Sequence, residues 1–493
     1  MKNINIFNQI TIALIAVSLS SCSDYMNVVP DDIPTMEHAF SNRTTTERFL
    51  FTCYSYLDDP AAYFTQYGLM SSRECWLLPL EASSWNLVGG NNDGSDFYAW
   101  RVAKGEQNSN SPLLQIWDGG RYISIRDCDI FLENIDKPTG IEPGEKTRWI
   151  AEVKFLKAYY HYCLLRQYGP VPIIRKSLSI GASPDEVRVY RDPVDDVAAY
   201  IVSLLEEALP DLPEEIINET EEMGRATQGI ALALKAQVLT LVASPLFNGN
   251  PLYRNFVDKR GTPLFAREVD PRKWEAAANA IKAAIDFAEN KAHRELYTFQ
   301  DYLINVSPSI AQEMSIRGAI TERWNKEIIW GSTSSRFVDN LQRLSSVRTI
   351  SGNSMGQISC LAPTLDVAEL FYTDNGLPIA EDRNYNQLYS NIFATSIAAA
   401  ADNDHIRSGF ETANLHFHRE PRFYASLTFD GGYFFGNSNV QRNVNMKMGT
   451  DGGRFGTGMY SITGYFPKKL VTRQAVLSAT TWSGYWYSYP YIR

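Results

Sequence analysis

Apolar residues recur at three- and four-residue steps through 146–168, where Trp149, Val153, Leu156, Tyr160 and Leu164 share one face of an α-helix. Ala151, Phe155, Ala158, Tyr159 and Tyr162 widen that stripe, so the spacing predicts a helix buried on more than one flank. Gly169-Pro170 should stop it, since Gly tolerates backbone that other residues avoid and Pro cannot continue the hydrogen-bond ladder. Further helical patterns fall at 44–57, 113–134, 193–209, 225–247 and 274–289. Two of these pair in the same order with one offset. Tyr122-Ile123 recurs as Tyr200-Ile201 and Lys157-Ala158 as Lys235-Ala236, each 78 positions on (200 − 122 and 235 − 157). Asp192-Pro193 likewise recurs as Asp270-Pro271. The expectation is a mostly α fold of tetratricopeptide-like helix pairs carrying long insertions, stacked so that neighbours bury a continuous core.

The pattern breaks in two places. Residues 60–112 set Trp76, Trp85 and Trp100 among turn formers such as Gly89-Gly90-Asn91-Asn92-Asp93-Gly94, and a loop of that length in a compact domain carries function more often than not. Beyond residue 330 the helical period fades, Gly and aromatics rise, and alternating runs such as FYASLTF predict small strands in a loop-rich lobe. A scaffold over 44–330 and a lobe over 331–493 follow from these changes.

Composition narrows the possible functions. The chain of 493 residues is 44% hydrophobic, enough for a large core, and its net charge of −10 with no compensating run of Lys or Arg argues against a nucleic-acid partner. Aromatics at 12% exceed what a plain helical bundle needs, which leaves some to face a ligand. At the N-terminus, Lys2 and the apolar run 10–19 form an export signal too short to span a bilayer. Leu19-Ser20-Ser21-Cys22 resembles a bacterial lipobox, so residues 1–21 would be removed and Cys22 acylated, with 22–43 as a tether. An ordinary signal peptide with a chance Cys is the alternative. The other five cysteines are irregularly spaced without C-x-x-C, against a zinc site or a dense disulfide framework, and Cys163 reads as a small buried hydrophobe.

Catalytic signals are thin. Gly352-Asn353-Ser354-Met355-Gly356 fits the nucleophile-elbow pattern, but 357–363 lacks the helical start that must follow. His416 and His418, two apart, would share one face of a strand with no third ligand nearby, so no metal site and no cofactor is expected. Acidic residues are plentiful, which leaves a carboxylate pair for glycoside hydrolysis open.

Six blocks carry a family resemblance in order along the chain: YMNVVPDD, IWDGGRYISIRDCDIFLENID, AEVKFLKAYYHYCLLRQYGPVPI, ALALKAQVLTLVASPLFNGN, FYTDNGLPI and REPRFYASLTFDGGYF. Together they resemble the SusD/RagB family of Bacteroidetes outer-membrane nutrient-binding lipoproteins. The resemblance implies a helical-repeat scaffold with an irregular lobe, lying over a SusC-like TonB-dependent porin and binding glycans before import. It also implies a further helix after Tyr489-Pro490-Tyr491-Ile492-Arg493, so the chain is expected to stop short of the family's C-terminus. Sugar rings stack on aromatic faces while their hydroxyls need polar partners, and the mixture Arg73, Trp76, Trp85, Asn91, Asn92 and Asp93 makes 73–96 the candidate ligand loop. For each Trp, burial against the core is the competing reading. Three functions remain open: a non-catalytic glycan-binding lipoprotein at the cell surface, a peptide-binding partner of a peptide importer, and a cell-surface glycoside hydrolase.

Overall fold

The computed structural model describes residues 36–61, 72, 74–77, 102, 105–108, 110, 120–179, 181–300, 305–333, 341–347, 361–435, 441–448, 450, 452–453, 460–473, 476–477, 482–483 and 489–493. Helix α1 (Arg43–Ser55) starts where the Asn42 side chain accepts the Thr45 N–H at 3.1 Å, a cap that answers one orphan donor of the first turn. Helix α2 (Tyr122–Asn134) buries Ile125, Cys128, Ile130 and Phe131. The central helix α3 (Pro143–Tyr168) opens on Pro143 and is buried along both flanks of the predicted stripe, with Trp149, Phe155, Leu156, Tyr160 and Leu164 all essentially inaccessible. It ends at Gly169, whose N–H donates to Leu165 O at 2.9 Å. At φ +69° and ψ −116° this residue lies outside the regions that L side chains adopt, and a Cβ there would meet Phe265 at 3.3 Å.

Helices α4 (Val194–Ala208), α5 (Gln228–Ala243) and α6 (Arg272–Asn290) then pack in chain order, α3 on α4, α4 on α5 and α5 on α6. The repeated sequence marks do equivalent work. Tyr122 and Tyr200 both donate to the segment after α3, to Pro172 O at 3.4 Å and Ile174 O at 3.3 Å. Lys157 pairs with Asp129 across α2 and α3, and Lys235 with Glu206 across α4 and α5 at 2.7 Å. Cys163 is fully buried. Small Ala277, Ala280, Ala284 and Ala288 let α6 approach α5 closely.

Helix α7 (Pro308–Thr321) leaves the stack and packs against α9 (Pro421–Ser426) and the turn Lys468–Leu470. Glu313 and Arg317 sit inside that joint. Glu313 meets Lys468, and His405 at 3.5 Å, while Arg317 donates to Val471 O at 3.0 Å. The described strands form two-stranded antiparallel ladders: β1 (Cys75–Leu77) with β3 (Leu361–Pro363), β2 (Trp330–Gly331) with β10 (Pro490–Ile492), β4 (Thr395–Ile397) with β5 (Glu411–Ala413), β6 (Tyr433–Phe435) with β7 (Gln441–Asn443), and β8 (Val476–Leu477) with β9 (Trp482–Ser483). Through β2 and β10 the end of the chain rejoins the helical core, where Trp330 packs edge-on against Phe155 and Tyr159 and lies 4.4 Å from the Tyr491 ring.

Two local expectations are corrected. The run FYASLTF begins inside α9 instead of forming a strand. Pro421 occupies the first helical turn, and the consecutive residues Phe423, Tyr424 and Ala425 are all buried, which a two-faced strand in a small ladder would not achieve. His416 and His418 do not share a strand face. His416 ends the short 3-10 turn Asn414–His416, buried between the Thr412 hydroxyl at 2.7 Å and the Tyr465 hydroxyl at 3.0 Å. His418, at φ +52°, is partly exposed and stacks on Tyr385 at 4.5 Å. Beside them Arg419 is buried with its guanidinium spread over the carbonyls of Leu415, Ala368 and Phe371, at 2.8, 2.8 and 2.5 Å, which satisfies the end of the short helix α8 (Leu365–Leu370).

Candidate ligand surface

Of the candidate residues, Trp76 is described, whereas Arg73, Trp85, Asn91, Asn92 and Asp93 lie outside the described residues, as do Cys22, the leader and tether up to residue 35, and the Gly352–Gly356 motif. Trp76 stands in the middle of β1, directly across from Ala362, with 40% of its surface accessible. Its neighbours are tied down: the Thr364 N–H donates to Glu74 O at 2.9 Å, and Thr463 Oγ1 donates to Pro363 O at 2.6 Å. The ladder therefore fastens part of the 60–112 segment to the lobe, and presents an indole on hydrogen-bonded strand backbone. Trp76 is open to solvent, and among the described residues it is not one of the buried side chains of the helical core.

A second concave feature was not predicted. A cavity of about 470 Å³ opens between α1, residues 219–225, residues 323–333 and Tyr491. Phe51 and the half-buried Trp324 give it aromatic walls; Arg323, Glu219 and Glu221 give it a charged rim. It adjoins a cavity of about 300 Å³, with which it shares Gly224, Arg225, Trp324 and Gly331. Trp324 has φ +51°, a conformation that a bulky side chain adopts only when its surroundings enforce it. No periodicity in ERWNKEIIW announces that backbone, which is why sequence reasoning passed over it.

The wall of this cavity is held by buried charge. Glu152 on α3 is inaccessible and accepts Arg225 Nη2 at 2.8 Å and Nε at 3.0 Å, Arg148 Nε at 2.9 Å and the Tyr54 hydroxyl at 2.7 Å. Four donors on one carboxylate satisfy it without water. Burial, and then the Glu152 charge, push the Tyr54 hydroxyl well above the ordinary tyrosine range, so it remains a donor. Tyr54 in turn accepts the Ala226 N–H at 3.0 Å, fixing the segment that carries Gly224 and Arg225. The Tyr491 hydroxyl donates to Asp58 O, and Arg121 pairs with Asp58, so the start of the 60–112 segment is anchored at the same wall.

Among the described residues no group of three or more His, Cys, Asp or Glu side chains is arranged to hold a metal, and no helix is long and apolar enough to cross a membrane. Burial draws the His416 ring down to about 3, keeping it neutral and hydrogen-bonded.

Comparison with known proteins matches these features to a family. Residues 326–493 match the model of the SusD family, and residues 80–239 match that of a family described as starch-binding and associating with the outer membrane. The fold is similar to that of the protein BT4246, at 28% identity and a TM-score of 0.77, over 92% of this chain and 76% of that one. It is also similar to a SusD-like protein, BF3747, from Bacteroides fragilis, at 21% identity and a TM-score of 0.58 over 87% of this chain and 68% of that one. A SusD-like carbohydrate binding protein, BF0978, from the same species is 17% identical, with a TM-score of 0.54 over 90% of this chain and 71% of that one. No curated protein matches the chain. These matches make the chain similar to the SusD/RagB proteins, and its fold is the mostly helical SusD-like one.

Proposed function

We propose that this protein binds glycans without cleaving them, as a lipoprotein at the surface of the outer membrane, and passes oligo- or polysaccharide to a SusC-like TonB-dependent porin. The exposed Trp76 indole on the β1–β3 ladder carries the reading for this chain. A pyranose C–H face stacks on such a ring, and the polar residues Arg73, Asn91, Asn92 and Asp93 with Trp85 supply the hydroxyl partners in the same loop. The match of residues 80–239 to a starch-binding, outer-membrane-associating family supports both the ligand class and the location. Cys22 is the acylated anchor in this reading, which makes the membrane a partner through lipid alone.

Affinity electrophoresis of the chain carrying Cys22→Ala against a polysaccharide panel, with reducing ends assayed in each gel, tests the proposal. Retardation by particular glycans without release of reducing ends is expected. Trp76→Ala combined with Trp85→Ala should abolish that retardation; unchanged mobility shifts would remove the loop from the site. Release of reducing ends would turn the reading toward a glycoside hydrolase, and binding only to peptides toward a peptide importer's partner.

A further inference from the structure

Two of the buried cysteines face each other. Helices α1 and α2 run antiparallel, and two side-chain contacts set their register: the Phe49 ring lies 6.4 Å from that of Phe131, and the Tyr56 hydroxyl donates to Asp127 Oδ2 at 2.6 Å. Cys53 lies between Phe49 and Tyr56 on one helix, and Cys128 between Asp127 and Phe131 on the other. Both thiols are fully buried and free in this structure, and they are near enough that Cys53 adds to the upward push that burial gives the Cys128 thiol. Cys163, equally buried on α3, has charged and phenolic neighbours, Arg121, Asp58, Arg166 and Tyr159.

We propose that Cys53 and Cys128 form a disulfide in the exported protein, an inference that rests on the export part of the functional reading above. It would close a loop from α1 to α2 that contains the whole candidate ligand segment, 60–112, and would tie that segment's base to the scaffold. A cross-link over so long a loop removes much chain entropy from the unfolded state. Disulfides persist in oxidising compartments outside the cytoplasm.

The chemistry is dithiol–disulfide exchange with an oxidant of the disulfide class, such as a protein disulfide oxidant or oxidised glutathione. One cysteine, as thiolate, attacks a sulfur of the oxidant and expels the other sulfur as a thiolate. The second cysteine thiolate then attacks the mixed disulfide and expels the remaining oxidant sulfur. Two protons leave the cysteines, two electrons pass to the oxidant, and the oxidant departs as two thiols. Thiolate is required at each step. Burial raises the Cys128 thiol well above its ordinary range, so exchange belongs to the folding chain, before α1 closes on α2.

The test is peptide mapping of the full chain, expressed with its leader in a host with an oxidising cell envelope and quenched with acid at harvest. Thiols are alkylated under denaturing conditions before and after reduction, and the intact mass reports whether the leader has been removed. A Cys53–Cys128 linked peptide, with Cys163 alkylated before reduction, is the expected result. Cys53 and Cys128 both alkylated before reduction in leader-free protein would overturn the proposal. If the leader is retained, the export reading fails separately; the same protein is then refolded in a glutathione redox buffer, where linkage of Cys53 to Cys128 supports the pairing and any other outcome overturns it. Cys163→Ser should keep the linked peptide, and Cys128→Ser should leave Cys53 free for alkylation.

Discussion

Arg225 and Glu152 form a two-pronged ion pair at 2.8 and 3.0 Å, in which the carboxylate is inaccessible and the guanidinium nearly so. The pair joins α3 to the segment 222–226 that walls the larger cavity. Removing one partner of a buried pair costs roughly 3–5 kcal/mol when the other charge is left alone, but here Arg148 and the Tyr54 hydroxyl remain on Glu152 and offset part of that penalty. Arg225→Met should therefore lower stability by less than that full penalty in a denaturant titration. The double variant Arg225→Met with Glu152→Met should recover part of the loss, because replacing both partners removes the stranded charge.

Lys468 presents a similar case at the joint between α7 and the lobe. It pairs with the inaccessible Glu313, and burial draws its ammonium down to about 8. Lys468→Met should destabilise the protein by roughly 3–5 kcal/mol. Hydrogen exchange should then show faster opening in α9 and around 468–471 than in α3.

Two inaccessible histidines predict a pH slope. Burial draws His161 to about 4 and His416 to about 3, against an ordinary value of 6.5. A base whose folded pKa is depressed takes up its proton more readily in the unfolded chain. Its contribution is thus complete above about pH 6.5 and declines as pH falls toward 4 and 3. The Tm should fall between pH 6.5 and pH 4.5, and His161→Gln should flatten that slope in a thermal melt series.

At the end of α3, Gly169→Ala would place a side chain where φ is +69° and ψ is −116°, with the new Cβ 3.3 Å from Phe265. Backbone strain of this kind costs about 1–3 kcal/mol. The same substitution at Gly261, also at positive φ but with nothing within 4 Å, should give the smaller loss of Tm, since no neighbour has to move.

Trp76→Ala should leave the Tm nearly unchanged, because much of the indole already faces water. Its effect should appear in glycan affinity, measured by affinity electrophoresis on the ligand found in the panel. A large drop in Tm with intact binding would assign this indole to stability instead.

What the sequence determined by itself is the helical scaffold. The apolar period of 149–164 reports which face of α3 is buried, and Gly169-Pro170 reports where it ends, because both effects act within a few residues. The 78-residue offset was legible for the same reason: each helix pair needs its own Tyr and Lys at matching places. Tertiary structure decided the surroundings of the candidate site. Cys75 and Pro363 meet as neighbours in a ladder although 288 positions separate them (363 − 75), and no local pattern encodes that partner. The left-handed Trp324 and the helical turn inside FYASLTF also depend on distant groups. In short elements the intrinsic preference of a few residues is small, and contacts brought together from across the chain outweigh it.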